Sequence, residues 1–106
     1  MDGNVWIIQS TVGGEDVAGR LARESVEGGL AACAQVESPM ISHYIWRGQL
    51  EESREFRITF KTGGGKLQEL MTWIRANHPY EVPEILAWPA TAVDEAYAKW
   101  IDSAQF

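Results

Sequence analysis

Cysteine is nearly absent from this sequence of 106 residues, in which Cys33 stands alone. One thiol closes no internal disulfide, and that usage fits a reducing compartment. Long apolar runs are missing as well. No stretch approaches the roughly 18 apolar residues of a spanning helix, so no membrane partner is expected. Positive charge is scarce: nine Lys and Arg stand against fifteen Asp and Glu, a formal net charge of -6. Nucleic-acid binders present a basic face, so that class is set aside, whereas an acidic surface is compatible with attracting cations. Met1-Asp2-Gly3-Asn4 has no basic region, and Val5 to Ile8 is too short for the apolar part of a secretory signal. A soluble, cytoplasmic protein is expected.

Complete catalytic signatures are lacking too. One Cys and two His cannot supply the four ligands of a structural zinc site. Gly63-Gly64-Gly65-Lys66 lacks the spacing of a phosphate loop and reads as a flexible lead-in to a helix. No nucleophile motif or cofactor fingerprint is present, so an enzyme using Glu81 or Glu84 as a base beside His78 and Tyr80 is the weakest reading.

Aromatic residues, by contrast, are plentiful, with five Trp, three Tyr and three Phe. A domain of this length buries only about two-thirds of its unfolded surface, so some rings are expected to find cover on another subunit. Residues 1–106 read as one domain. Val5 to Ile8 with Gln9-Ser10-Thr11 is an apolar, β-branched run, a central strand. Gly13-Gly14 breaks it, and Val17, Ala18, Leu21, Ala22 and Val26 recur at helical spacing until Gly28-Gly29. Leu30 to Val36 reads as a strand with Pro39 as a break or an edge. Ile41 to Arg47 and Leu50 to Lys61 form a hairpin about Gly48-Gln49, and Phe56, Ile58 and Phe60 mark its buried face. Leu67, Leu70, Met71 and Ile74 define a second helix. A strand from Ile85 to Thr91 and a short helix N-capped by Asp94 follow. The order is that of an α+β, ferredoxin-like (βαββαβ) fold: an antiparallel sheet with two helices on one face and an appended C-terminal helix.

The most constrained stretch is His78-Pro79-Tyr80-Glu81-Val82-Pro83-Glu84. Its prolines fix their own φ and bias His78 and Val82 toward extended backbone, so an imidazole, a phenol and two carboxylates sit on a stiff connector.

This heptapeptide with Ile85 resembles the CutA divalent-cation tolerance family. Leu30-Ala31-Ala32-Cys33, Tyr44-Ile45-Trp46-Arg47-Gly48, Phe60-Lys61-Thr62 and Tyr97-Ala98-Lys99-Trp100 extend the likeness over nearly the whole chain. Gly28-Gly29 stands where the family usually carries charged residues. The resemblance implies a tight homotrimer joined by strand exchange at subunit edges, with an overall shape like that of the PII signalling proteins. It also implies a link to copper(II) or another divalent metal ion.

The metal candidates are then Cys33, His78, Glu81 and Glu84. Each has a plainer reading. Cys33 suits copper or zinc, yet free cysteine is common as strand packing. His78 can end the helix, and the glutamates can pair with Arg or Lys on a neighbouring strand. Lys61 and Tyr80 are candidates for a ligand cleft. The alternative function is a PII-like sensor of a small anion, held between subunits near Lys61, Lys66 and Arg75. Tyr44, Trp46 and Trp88 are the candidate trimer-interface residues, since aromatics dominate interface centres. A hairpin that overshoots its sheet has unpaired edges, which favours assembly independently of the family.

Overall fold

The structure is a computed structural model that describes residues 5–104; the expectation concerning Met1 to Asn4 lies outside them. Strand β1 (Val5–Val12) leads to helix α1 (Glu15–Glu27), then to strands β2 (Cys33–Val36), β3 (Met40–Trp46) and β4 (Gln49–Gly63). A 3-10 turn at Gly64–Lys66 opens helix α2 (Leu67–Asn77), and strand β5 (Leu86–Pro89) and helix α3 (Glu95–Ser103) complete the chain. The sheet order is β2-β4-β1-β5, antiparallel throughout, with β3 pairing the far half of β4. This is the expected ferredoxin-like arrangement.

Alternation decides which face is covered. Ile8 and Val12 of β1 and Phe56, Ile58 and Phe60 of β4 share one face, where Leu21 of α1 and Leu70 and Ile74 of α2 bury them. The opposite face carries Ile7, Gln9 and Thr11 beside Lys61, Thr59 and Arg57, with Cys33 one strand further out. One end of it is roofed by Ile101 of α3, which packs on Val5 and Ala32, and at the other end Thr11 and Glu55 are buried as well. Asp94 caps α3 as expected, its carboxylate accepting the Tyr97 N–H at 3.1 Å.

Several boundaries differ from the sequence pattern. Strand β2 starts at Cys33 instead of Leu30, because the Leu30 and Ala31 N–H groups close the end of α1 on the Ser25 carbonyl. Gly29, at φ 75°, makes that left-handed stop possible. Gly63-Gly64-Gly65, expected as a flexible lead-in, instead finishes β4 and forms the 3-10 turn. Strand β5 is shorter than expected at Leu86–Pro89.

The hairpin projects. The turn expected at Gly48-Gln49 falls one residue earlier. Arg47 and Gly48, both at positive φ (53° and 80°), form a tight two-residue turn whose twist matches the flanking strands, and Gln49 already pairs with Trp46. Beyond Glu55 the hairpin is largely exposed, with Ile45 at 66% and Leu50 at 74%. The molecule measures 45 × 26 × 23 Å with a radius of gyration of 14.5 Å. A compact globule of this length comes to about 13 Å.

Candidate functional site

The stiff connector after α2 lies across the open end of β1. Pro79 excludes helical geometry at His78, which ends α2 in extended backbone (φ -80°, ψ 139°). That turn drives the imidazole inward until it is 8% exposed. Nδ1 accepts the Tyr80 N–H at 3.1 Å, so the ring proton is on Nε2, which donates to the Thr11 carbonyl at 2.8 Å. Burial pulls this imidazole below its ordinary pKa; the Thr11 bond and the Glu55 charge offset the pull only in part. His78 is a neutral bracket between β1 and the connector.

Tyr80 stands edge-on to His78, ring centroids 4.8 Å apart, and its hydroxyl donates to Glu55 Oε2 at 2.7 Å. Burial, then the Glu55 hydrogen bond and charge, push the phenol well above its ordinary pKa, against a smaller opposing pull from the Gly13 backbone N–H. Gly13 is tight here, since a Cβ on it would stand 3.3 Å from the Tyr80 hydroxyl. Glu55 itself is 6% exposed and forms no ion pair among the described residues. Arg57, two residues along on the same face, turns instead to Glu37 at 3.4 Å and to the Met40 sulfur at 3.6 Å.

Further along the connector Glu81 and Val82 face outward, and Pro83 and Glu84 are half-buried. Glu81 receives the Arg47 guanidinium from the hairpin turn at 3.0 Å, and Glu84 receives the Gln9 amide at 2.8 Å. Between connector and hairpin lies a cleft of about 750 Å³. Ser42, Tyr44, Trp46 and Glu55 form its hairpin wall, Tyr80 to Glu84 the facing wall, and Thr11 contributes between them. Tyr44 and Trp46 share a face, as their spacing predicts, and the Tyr44 hydroxyl is tied to Ser53 at 2.7 Å.

The expected site residues do not come together within one chain. Cys33 pairs with Lys61 across β2 and β4, and Lys61 Nζ lies 5.9 Å from the Tyr97 ring centre. Lys61 is six residues along β4 from Glu55, which holds Tyr80, a separation of ~20 Å at the usual strand rise. Within one chain Lys61 and Tyr80 do not share a cleft: Tyr80 pairs with Glu55, and Lys61 lies beside the Tyr97 ring of α3. Arg75 is on α2, across the sheet from Lys61, so one chain does not assemble the anion cleft of Lys61, Lys66 and Arg75 either. His78, one of the expected metal ligands, has both its ring nitrogens engaged by backbone within this chain. Among the described residues no three His, Cys, Asp or Glu side chains gather as a metal-holding group. Glu81 matches its plainer reading, paired with a hairpin arginine. The pattern reading missed Thr11, Gly13 and Glu55. Glu51, Glu52 and Glu55 look like a solvated charged run, and only the two-residue phase with Arg57, Thr59 and Lys61 hinted at the face Glu55 occupies.

Sheet order, helix placement and the overlong hairpin define a ferredoxin-like α+β fold with a connector cleft at one end. The chain belongs to the CutA1 divalent ion tolerance protein family, whose profile matches residues 6–104. It is 36% identical over 101 residues to the Protein CutA homolog of Xenopus laevis, covering 95% of this chain and 67% of that protein. It is 33% identical over 101 residues to the divalent-cation tolerance protein CutA of Yersinia pestis (strain Pestoides F), covering 95% and 85%. Among solved structures, CutA from Synechococcus elongatus superposes with a TM-score of 0.91 at 35% identity, over 96% of this chain and 90% of that one. The divalent ion tolerance protein CutA1 of Ehrlichia chaffeensis gives 0.92 at 26% identity, over 98% and 97%.

Proposed function

We propose that the chain acts as a homotrimeric divalent-cation tolerance protein that binds copper(II) or another divalent ion between subunits. The observation that carries the reading is the family match along residues 6–104. The donor geometry refines it. One chain gathers no three donor side chains among its described residues, so a metal site needs donors from more than one subunit. Cys33, half-buried on the open sheet face, and the carboxylates of Glu81 and Glu84 are the donors available. Copper leads the divalent series in affinity and accepts thiolate as well as carboxylate. Tyr44, Trp46 and Trp88 support assembly, since all three are exposed on the hairpin and the edge strand β5. The protein acts by binding and not by turnover. The single unpaired cysteine supports a cytoplasmic location, although the CutA of Archaeoglobus fulgidus, 31% identical, is described as periplasmic.

Sedimentation equilibrium tests the assembly, with an expected mass three times the 11.8 kDa of one chain. Calorimetric titration with Cu(II) tests the ligand: saturable binding is expected, weakened tenfold or more by Cys33→Ser. Equal affinity in that variant removes Cys33 from the ligand set, and a monomer at micromolar concentration removes the intersubunit site.

A further inference from the structure

We propose that Arg57 is a two-position latch, through which movement of the connector reaches the joint where the hairpin leaves the sheet. The device is built from contacts inside one chain and is independent of the divalent-metal reading.

Arg57 is poorly satisfied where it stands. Its guanidinium reaches Glu37 at 3.4 Å and the Met40 sulfur at 3.6 Å. A charge-assisted bond closes to about 2.8 Å, so both contacts are loose. Its Nε is buried and finds no acceptor among the described residues, which costs free energy. A better acceptor lies close by. Glu55 precedes Arg57 by two residues on the same face of β4, about 7 Å along the strand at the usual rise. Met40, against which the guanidinium rests, stands directly opposite Glu55 in the β3–β4 register. Glu55 is 6% exposed, receives the neutral Tyr80 hydroxyl and pairs with no cation among the described residues.

Two donors therefore compete for one buried carboxylate. With the connector seated, the Tyr80 hydroxyl holds Glu55 at 2.7 Å and Arg57 is left to span Glu37 and Met40. When the connector draws back and takes that hydroxyl with it, Glu55 is a buried charge without a donor, a costly state. Turning Arg57 onto Glu55 satisfies the carboxylate and the orphaned Nε together. It also releases Glu37 and Met40, which flank the break at Ser38-Pro39 between β2 and β3. One side chain thus ties the position of the connector to the freedom of the hairpin root, as a shift between two arrangements.

The test is amide hydrogen exchange of the intact assembled protein, read at Glu37, Met40 and Ile41. Tyr80→Phe keeps the ring against His78 and removes only the hydroxyl. Exchange at the joint should rise roughly fivefold or more, while the Leu70 and Ile74 amides of α2 stay unchanged. The Arg57 Nε proton resonance should move downfield as it gains an acceptor. The same substitution is then made in two backgrounds: Glu55→Gln, which removes the charge that draws Arg57, and Arg57→Met, which removes the latch. In each, Tyr80→Phe should add less than about a twofold change at the joint, because the two sites no longer couple. An unchanged joint in Tyr80→Phe alone, or an equal rise in either background, overturns the proposal.

Discussion

The two halves of the connector use similar chemistry to opposite ends. His78, Pro79 and Tyr80 turn inward, where an imidazole and a phenol bind Thr11, Glu55 and their own backbone. Glu81 to Glu84 turn outward, where the carboxylates meet Arg47 and Gln9 at the mouth of a cleft. In the first half the His78 ring is buried and the polar side-chain atoms are committed, although Pro79 and the Tyr80 ring are exposed. In the second, Pro83 and Glu84 are half-buried and Glu81 is wetted, so the Glu81 carboxylate has the least at stake. Burial, more than residue type, separates a structural group from a candidate ligand. A histidine with both nitrogens engaged is a poor metal ligand however well its neighbours read.

The strongest way to break this comparison is His78→Ala. It leaves the buried Thr11 carbonyl without its partner, at about 1–3 kcal/mol, and removes the acceptor of the part-buried Tyr80 N–H as well. A loss of about 2–4 kcal/mol is expected from denaturant unfolding at fixed protomer concentration, since assembly makes stability concentration-dependent. For a chain of this length that corresponds to a fall in Tm of roughly 10–20 °C. A loss below about 0.5 kcal/mol would free His78 for ligand duty and erase the contrast.

Acidity probes the same half more gently. The folded imidazole sits below the ordinary 6.5, so its contribution is intact above that pH. As pH falls from about 6.5 through the folded value, the unfolded chain takes up the proton first and stability is lost. At the alkaline end the raised Tyr80 works the other way: above about pH 10 the unfolded phenol ionises first, and stability falls as pH rises. The stability gap between the native chain and His78→Gln should therefore narrow between pH 7.5 and 5. A gap constant across that range would contradict a neutral, buried His78.

Much of this was legible in the pattern, and the failures have a common cause. Alternation at Phe56, Ile58 and Phe60 and the stripe at Leu67, Leu70 and Ile74 announce buried faces, because periodicity reports which side of an element is covered. The prolines likewise announce the stiffness of the connector and the end of α2. Periodicity does not report which distant residue lies opposite. The bond from His78 to Thr11 spans 67 positions, and that from Tyr80 to Glu55 spans 25. Cys33 and His78 read as co-ligands because both suit copper, yet the register of β2 on β4 sets Cys33 opposite Lys61, away from Thr11. Glu55 was invisible for the same reason. Only the assembled sheet shows that a residue in an acidic run is the buried one.

The outward half yields the smallest expected effect, and it sharpens the contrast by being small. Glu81 and Arg47 close a 3.0 Å ion pair, shorter than the other ion pairs among the described residues. Both side chains are 71% exposed, so water and salt screen the pair and two long side chains lose freedom to hold it. Glu81→Gln should change unfolding free energy by no more than about 0.5 kcal/mol, and added salt should abolish even that. A loss above about 1.5 kcal/mol would mean that the bridge clamps the hairpin to the connector. The cleft would then be a built wall on both sides, and its shape would depend on an exposed pair instead of on the buried His78 and the Tyr80–Glu55 bond.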